Sequence, residues 1–155
     1  MNIAGKKILL TGATGGIGAQ LARLLHEQGA QLILSCYQEQ ALQQLNNELG
    51  NAHILACADI ASIEGRQLIV EVCQQAGGID AVINLAGILN FSLFEKQAPQ
   101  IVEKTLTINL LAPVLLCQDL IPILKIKSEA MILNVGSIFG SIGHPGFVAY
   151  CASKA

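Results

Sequence analysis

Thr11-Gly12-Ala13-Thr14-Gly15-Gly16-Ile17-Gly18 packs four glycines into eight residues. The run sits between an apolar segment, Lys7–Thr11 (KILLT), and a stretch over residues 17–28 whose Ile17, Leu21, Leu24 and Leu25 fall on one helical face. A strand, a glycine turn and a helix in immediate succession allow few folds. Glycine lets the backbone turn sharply and approach a ligand with no Cβ in between. The helix that follows offers free N–H groups and a positive dipole end, a setting for a phosphate. There is no Gly-Lys-Ser/Thr ending, so no lysine is placed for a terminal phosphate. Taken alone, the same residues could serve only as a tight strand–helix turn.

The rest of the chain repeats this alternation. Strands are expected at Gln31–Cys36 and at residues 52–57, 80–85 and 130–135. Helices are expected at 38–49, at 62–76 with Ser62 as cap, and in one long stretch from about 99 to 125. Gly29, Gly50 and the Gly77-Gly78 pair stand where helices should stop, and a glycine-rich loop follows the fifth strand as far as Gly146. The strand segments are continuous apolar runs, not alternating ones. Such strands are covered on both faces, which means a parallel sheet with helices on either side. Right-handed crossovers make it doubly wound. No repeat, linker or low-complexity tract divides residues 1–155, so one domain is expected.

Composition removes other classes. Charged residues make up 13% and hydrophobic residues 52%, too apolar for disorder. A net charge of -2 gives nucleic acid no electrostatic footprint. Five cysteines, at 36, 57, 73, 117 and 151, are an odd number without CxxC spacing. They fit neither a disulfide framework nor a metal site and suit a reducing cytoplasm, each being read as a small buried hydrophobe. The most apolar window, residues 105–124, contains Asn109, Pro113, Asp119 and Pro122. It is read as a buried helix of a soluble protein, not a membrane span. The N-terminus lacks the long apolar core of a signal peptide.

Four further motifs follow the glycine loop in order: Asn84-Leu85-Ala86-Gly87, Asn109 within TINLLAP, Ser137 within ILNVGSIFG, and Tyr150-Cys151-Ala152-Ser153-Lys154. Together with the loop, which resembles TGxxxGxG, they resemble the NNAG, helix-asparagine, serine and YxxxK signatures of the short-chain dehydrogenases/reductases. The resemblance spans the whole chain. The glycine spacing 12, 15, 18 also suits the extended, epimerase-like subclass, but NxAG and the 13-residue step from Ser137 to Tyr150 look like the single-domain subclass. It implies a Rossmann-type fold with strand order 3-2-1-4-5 and an oxidoreductase. Hydride would pass between NAD(P)(H) and a small-molecule carbonyl or secondary alcohol.

The residues themselves suit that chemistry. Tyr150 and Lys154 are four apart and share a helical face. A tyrosine with an ordinary pKa of about 10 is a poor base at neutral pH, and a neighbouring ammonium favours its phenolate. Tyr150 would then exchange a proton with the substrate oxygen while hydride moves at carbon. The resemblance implies that Ser137 hydrogen-bonds that oxygen, that Lys154 also holds the nicotinamide ribose, and that Asn109 holds a water in a proton relay. The expected cofactor-binding set is Thr11, Gly12, Thr14, Gly15, Gly16, Ile17, Gly18, Tyr37, Asp59, Ile60, Asn84, Ala86, Gly87, Tyr150 and Lys154. His144 either lines the substrate pocket or is an exposed loop histidine. Cys151 is read as a filler beside Tyr150.

Cofactor choice is usually made at the end of the second strand, where a carboxylate repels a 2′-phosphate. Ser35, Cys36 and Tyr37 supply no charge there, and Gly15 stands where NADP enzymes of the family often have arginine. The absence of a carboxylate leans toward NADP over NAD. No metal is expected.

Lys154 is followed by a single residue, Ala155. The resemblance implies two more strands and a substrate loop beyond it. Without them the fifth strand is an edge with one apolar face poorly covered, and the chain is expected to associate or aggregate. A short terminal helix is expected to fray and to leave Lys154 unheld, with the terminal carboxylate competing for its ammonium. An alternative function follows, a catalytically inactive nucleotide-binding remnant. A homo-oligomer is also expected, with the long helix as contact.

Overall fold

Ile8, Leu9 and Leu10 are consecutive, and none exposes more than 1% of its surface. In the computed structural model, which describes residues 2–155, they form the middle of β1 (Lys7–Thr11), the central strand of the sheet. Ile8 and Leu10 point into one core, beneath α1 (Gly16–Glu27) and α2 (Glu39–Glu48). Leu9 points into the other, beneath α3 (Ile63–Gln75) and α5 (Ala112–Leu124). This explains why the run cannot alternate in polarity. Each such side chain contributes about 1.5–3 kcal/mol through burial, whichever face it takes.

The remaining strands are β2 (Gln31–Cys36), β3 (Ile54–Cys57), β4 (Ala81–Asn84) and β5 (Met131–Asn134). All ladders are parallel, in the order β3-β2-β1-β4-β5, as expected. Leu9 pairs with Ile33 on one side and Val82 on the other. Strands are added outward from β1 to β3 on one side and then, from β4, on the other, and that switch beside β1 opens a crevice at the carboxyl ends of the strands.

Local signals account for the helix limits. Ser62 Oγ accepts the Gly65 N–H at 2.9 Å and caps α3. Gly29 and Gly77 follow α1 and α3 at φ 80° and 79°, conformations that side-chain-bearing residues rarely adopt.

The long helix departs from expectation. It consists of α4 (Pro99–Leu106), a π-helical turn Thr107–Leu111, and α5. Pro113 has no N–H for the Asn109 carbonyl, so the ordinary ladder is interrupted there for a covalent reason. The reading of residues 105–124 as buried also needs correction. Ala112, Leu116, Leu120 and Ile123 pack on the sheet, whereas Leu110, Leu111 and Val114 are each about half exposed. By length and composition the continuous helix over 99–124 could cross a membrane, but one stripe of it is the core of this domain. The cysteines are all free. Only Cys36 and Cys73 are buried; Cys57, Cys117 and Cys151 are partly exposed, contrary to the uniform buried reading.

Ile132 and Leu133 of the edge strand β5 expose 41% and 39% of their surface, matching the expected poor cover. The seven-residue helix α6 (Val148–Lys154) is nevertheless formed, its Ala149 and Ser153 buried.

Candidate active site

The glycine loop is shaped by close packing. Gly12 adopts φ 68°, and a Cβ there would lie 2.8 Å from the Ala86 backbone. A Cβ on Gly18 would overlap the Gly12 carbonyl oxygen. Those two positions are glycine because the turn folds against itself and against the segment after β4. Gly16 differs: an added Cβ would meet nothing within 4 Å. Its missing side chain leaves open space over the start of α1. No side chain caps that helix, and its first turn has no acidic residue. An anion there meets unshielded N–H donors.

That space is part of a cavity of about 410 Å³. The structure gathers Thr11, Gly12, Thr14, Gly15, Gly16, Ile17, Gly18, Tyr37, Asp59, Ile60, Ala86 and Gly87 around it, twelve of the expected cofactor residues. Asp59 is the one charged residue of the lining, and its Oδ1 accepts the Ala61 N–H at 2.9 Å. Sequence reasoning did not place Ile88 or Ile108 in the wall, yet both line it. Their neighbours Gly87 and Asn109 were the available signal. A glycine-lined cavity with an open helix end and an apolar slot fits a dinucleotide.

Thr11 ties the two sides of the cavity together. Its hydroxyl accepts from the Leu85 and Ala86 N–H groups at 3.1 and 3.2 Å. It is 1% exposed. Asn84 lies outside this lining. It donates to Cys117 Sγ at 3.1 Å and to Asn134 Oδ1 at 2.8 Å, toward α5 and β5, where it lines a second cavity.

Asn109 sits on the π-helical turn, 6% exposed. Its Oδ1 accepts the Ile88 N–H at 2.8 Å, and its Nδ2 donates to the Ile88 carbonyl at 2.9 Å and to Ser153 Oγ at 3.0 Å. Both amide hydrogens are therefore committed to joining the loop after β4 to α6. Ser153 Oγ in turn donates to the Tyr150 carbonyl at 2.8 Å. Asn109 thus positions the helix that carries Tyr150.

Ser137 Oγ accepts the Phe139 N–H at 3.2 Å, capping the single turn Ile138–Gly140 and leaving its own hydrogen to donate. That turn packs under the end of α6; a Cβ on Gly140 would overlap the Lys154 carbonyl. The Phe139 and Phe147 rings stand edge-on to Tyr150 at centroid distances of 6.4 and 6.5 Å. His144 is exposed and packs beside Phe147 at 5.0 Å. Lys154 Nζ donates to the Val135 carbonyl at 2.9 Å. The expectation that this lysine would be unheld is corrected: α6 is anchored by Ser153 and by the turn at Gly140, which brings the ammonium to the end of β5. Burial there holds its pKa below the usual lysine value. Lys154 lines the second cavity and not the glycine-loop one.

The doubly wound parallel sheet, with a glycine-lined cavity at its switch point, defines a Rossmann-type α/β domain. The family model for short chain dehydrogenases matches residues 6–155, and the chain belongs to that family. It is 35% identical over 155 residues to a 3-oxoacyl-[acyl-carrier-protein] reductase of Rickettsia typhi, and 37% identical over 157 residues to nodulation protein G of Rhizobium meliloti. Those alignments cover 100% and 99% of this chain and 63% of each relative, so the chain spans about 63% of the length of these curated relatives. A crystal structure of a short chain dehydrogenase from Mycobacterium smegmatis superposes with a TM-score of 0.90 at 22% identity, covering 99% of this chain and 66% of the other. That likeness confirms the fold.

Proposed function

We propose that this chain carries the cofactor-binding and catalytic residues of an NAD(P)(H)-dependent oxidoreductase acting on a carbonyl or secondary alcohol. The observation that carries it is the glycine-lined cavity over the uncapped start of α1. It is joined, through Ile88 and Asn109, to the helix bearing Tyr150 and Lys154. Bound there, the dinucleotide supplies the hydride chemistry. Backbone N–H groups of residues 16–18 hold its diphosphate, and Tyr37, Asp59 and Ile60 border its adenosine end. Tyr150 exchanges the proton at the substrate oxygen, Ser137 donates a hydrogen bond to that oxygen, and Lys154 orients the ribose and supports the charge on the tyrosine.

The names of the relatives make a 3-oxoacyl thioester the first substrate class to try. The lining has no carboxylate at the end of β2, which favours NADPH. Residues 1–155 act as one domain, and the apolar stripe of Leu110, Leu111 and Val114 suits a homo-oligomer. A second reading, dinucleotide binding without turnover, is favoured by the exposed Ile132 and Leu133 of β5.

Fluorescence titration with NADPH and NADH, followed by absorbance loss with ketones and 3-oxoacyl thioesters, separates the two. Turnover that Tyr150→Phe lowers by about 10²–10⁴-fold, with dinucleotide affinity retained, supports the enzyme. Binding without turnover supports the second reading. Failure to bind either dinucleotide refutes both.

A further inference from the structure

Two cysteines end neighbouring strands beside the glycine-loop cavity. Cys36 closes β2, Cys57 closes β3, and the parallel register pairs them directly. Both side chains lie on the α1–α2 face of the sheet, in the same core cluster. Directly paired residues on adjacent strands are about 4.8 Å apart. Disulfides span Cα separations of about 4.4–6.8 Å. The pKa of the Cys57 thiol is raised by burial, then by the Glu39 carboxylate, then by Cys36.

The thiols also hold the wall of the cavity. Cys36 Sγ lies 2.8 Å from Thr14 Oγ1 on the glycine loop and accepts the Gln38 N–H at 3.4 Å. Cys57 Sγ donates to the Tyr37 carbonyl at 3.8 Å. Thr14, Cys36, Tyr37 and Gln38 all line the cavity. A small oxidant therefore reaches Cys36 through the space that a bound nucleotide would fill.

We propose that Cys36 and Cys57 form a reversible cross-strand disulfide that lowers the affinity of the glycine-loop cavity for its dinucleotide. The affinity half rests on the function proposed above; the disulfide does not. With hydrogen peroxide as oxidant, one thiolate attacks the O–O bond, giving a sulfenic acid and water. The second thiol then displaces water from that sulfur as the S–S bond forms. Two thiols and one peroxide yield one disulfide and two waters, and a dithiol reductant reverses the change. Bond formation swings Cys36 Sγ away from Thr14 and removes the thiol hydrogen that Cys57 gives to Tyr37. The glycine loop and the turn after β2 lose their shared contacts.

The test uses the full chain, reduced and then treated with stoichiometric peroxide. Non-reducing peptide mapping should show a Cys36–Cys57 cross-linked peptide and the loss of two of the five thiols, both reversed by dithiothreitol. Saturating NADPH should slow the cross-link at least fivefold. Oxidised protein should bind NADPH at least tenfold more weakly, with recovery on reduction, while Cys57→Ser should lose no affinity on the same treatment. Circular dichroism of that variant reports whether it folds. No cross-linked peptide, a cross-link between other cysteines, or an unchanged affinity in the cross-linked protein overturns the proposal. A reduced chain that binds no dinucleotide overturns the proposed function and the affinity half, while the peptide map still decides the disulfide.

Discussion

Thr11→Val replaces a buried hydroxyl by a methyl group of nearly the same shape. The hydroxyl is the acceptor for two backbone donors, Leu85 and Ala86 N–H, at 3.1 and 3.2 Å. Its own bond to the Ile83 carbonyl, at 3.4 Å, is long and contributes little. At 1% exposure there is no water to replace it. A buried N–H left unpaired costs about 1–3 kcal/mol. Two of them, with some relaxation of the segment after β4, cost about 2–5 kcal/mol. That is a large part of the stability of a domain, about 5–15 kcal/mol. At about 2–4 °C per kcal/mol, the melting temperature falls by roughly 4–20 °C. Urea unfolding followed by far-UV circular dichroism gives the free energy directly, with an unchanged m-value. Thr11→Ser keeps the acceptor and should stay within about 1 kcal/mol of the parent. Because residues 85–87 line the cavity, Thr11→Val should also weaken NADPH binding more than Thr11→Ser. If Thr11→Val unfolds within 0.5 kcal/mol of the parent, the hydroxyl is not what holds the two sides of the cavity, and the reasoning fails.

Two further outcomes are expected. Gly18→Ala places a Cβ on the Gly12 carbonyl and should abolish dinucleotide binding, whereas Gly16→Ala, with open space around it, should fold normally and lose affinity only because the methyl occupies the cavity; equal thermal stability of the two variants, measured by calorimetry, would contradict this. Stability should fall on acidification because of His53, whose Nδ1 accepts the Leu32 N–H and whose Nε2 faces His26 Nδ1 at 3.1 Å. Burial first, and the His26 charge second, hold the pKa of His53 below 6.5. The unfolded chain therefore takes up a proton before the folded one does. This contribution is complete above about pH 6.5 and is lost as pH falls toward the lowered folded value, by at most about 1.4 kcal/mol per pH unit. Urea midpoints at pH 7.5 and 5.5 for the parent and His53→Asn check it, and an identical pH dependence in both would count against it.

Much of this architecture is legible in one dimension. The run at residues 8–10 has no polar position because β1 has no solvent face, and that identifies a parallel sheet before any coordinates. The glycine spacing marks the cavity because Gly18 is required by contacts within the turn itself and Gly12 by its positive φ and its approach to the Ala86 backbone. Asn84 shows where motif reading stops. Four residues of similar standing, Asn84 to Gly87, run through the end of a strand and out of it; Leu85, Ala86 and Gly87 line the cavity, whereas the asparagine turns to Cys117 of α5 and Asn134 of β5. Asn109 is similar. Its motif announces an important residue, but its commitment to Ile88 and Ser153 depends on a π-helical turn and on two segments far away in the chain.

By itself, then, the order of residues determined the fold class and the location of the phosphate-sized opening, because these follow from local periodicity, from glycine sterics and from the handedness of crossovers, while the strand order came with the resemblance that the motifs carry. Only the tertiary structure decided which side of the sheet each motif residue serves, that Lys154 is anchored at the end of β5, and that Cys36 meets Cys57. Those are relations between residues well separated in sequence, 19 apart for Lys154 and Val135, set by strand register and by packing of α6 on the loop after β5, and no local pattern encodes a register.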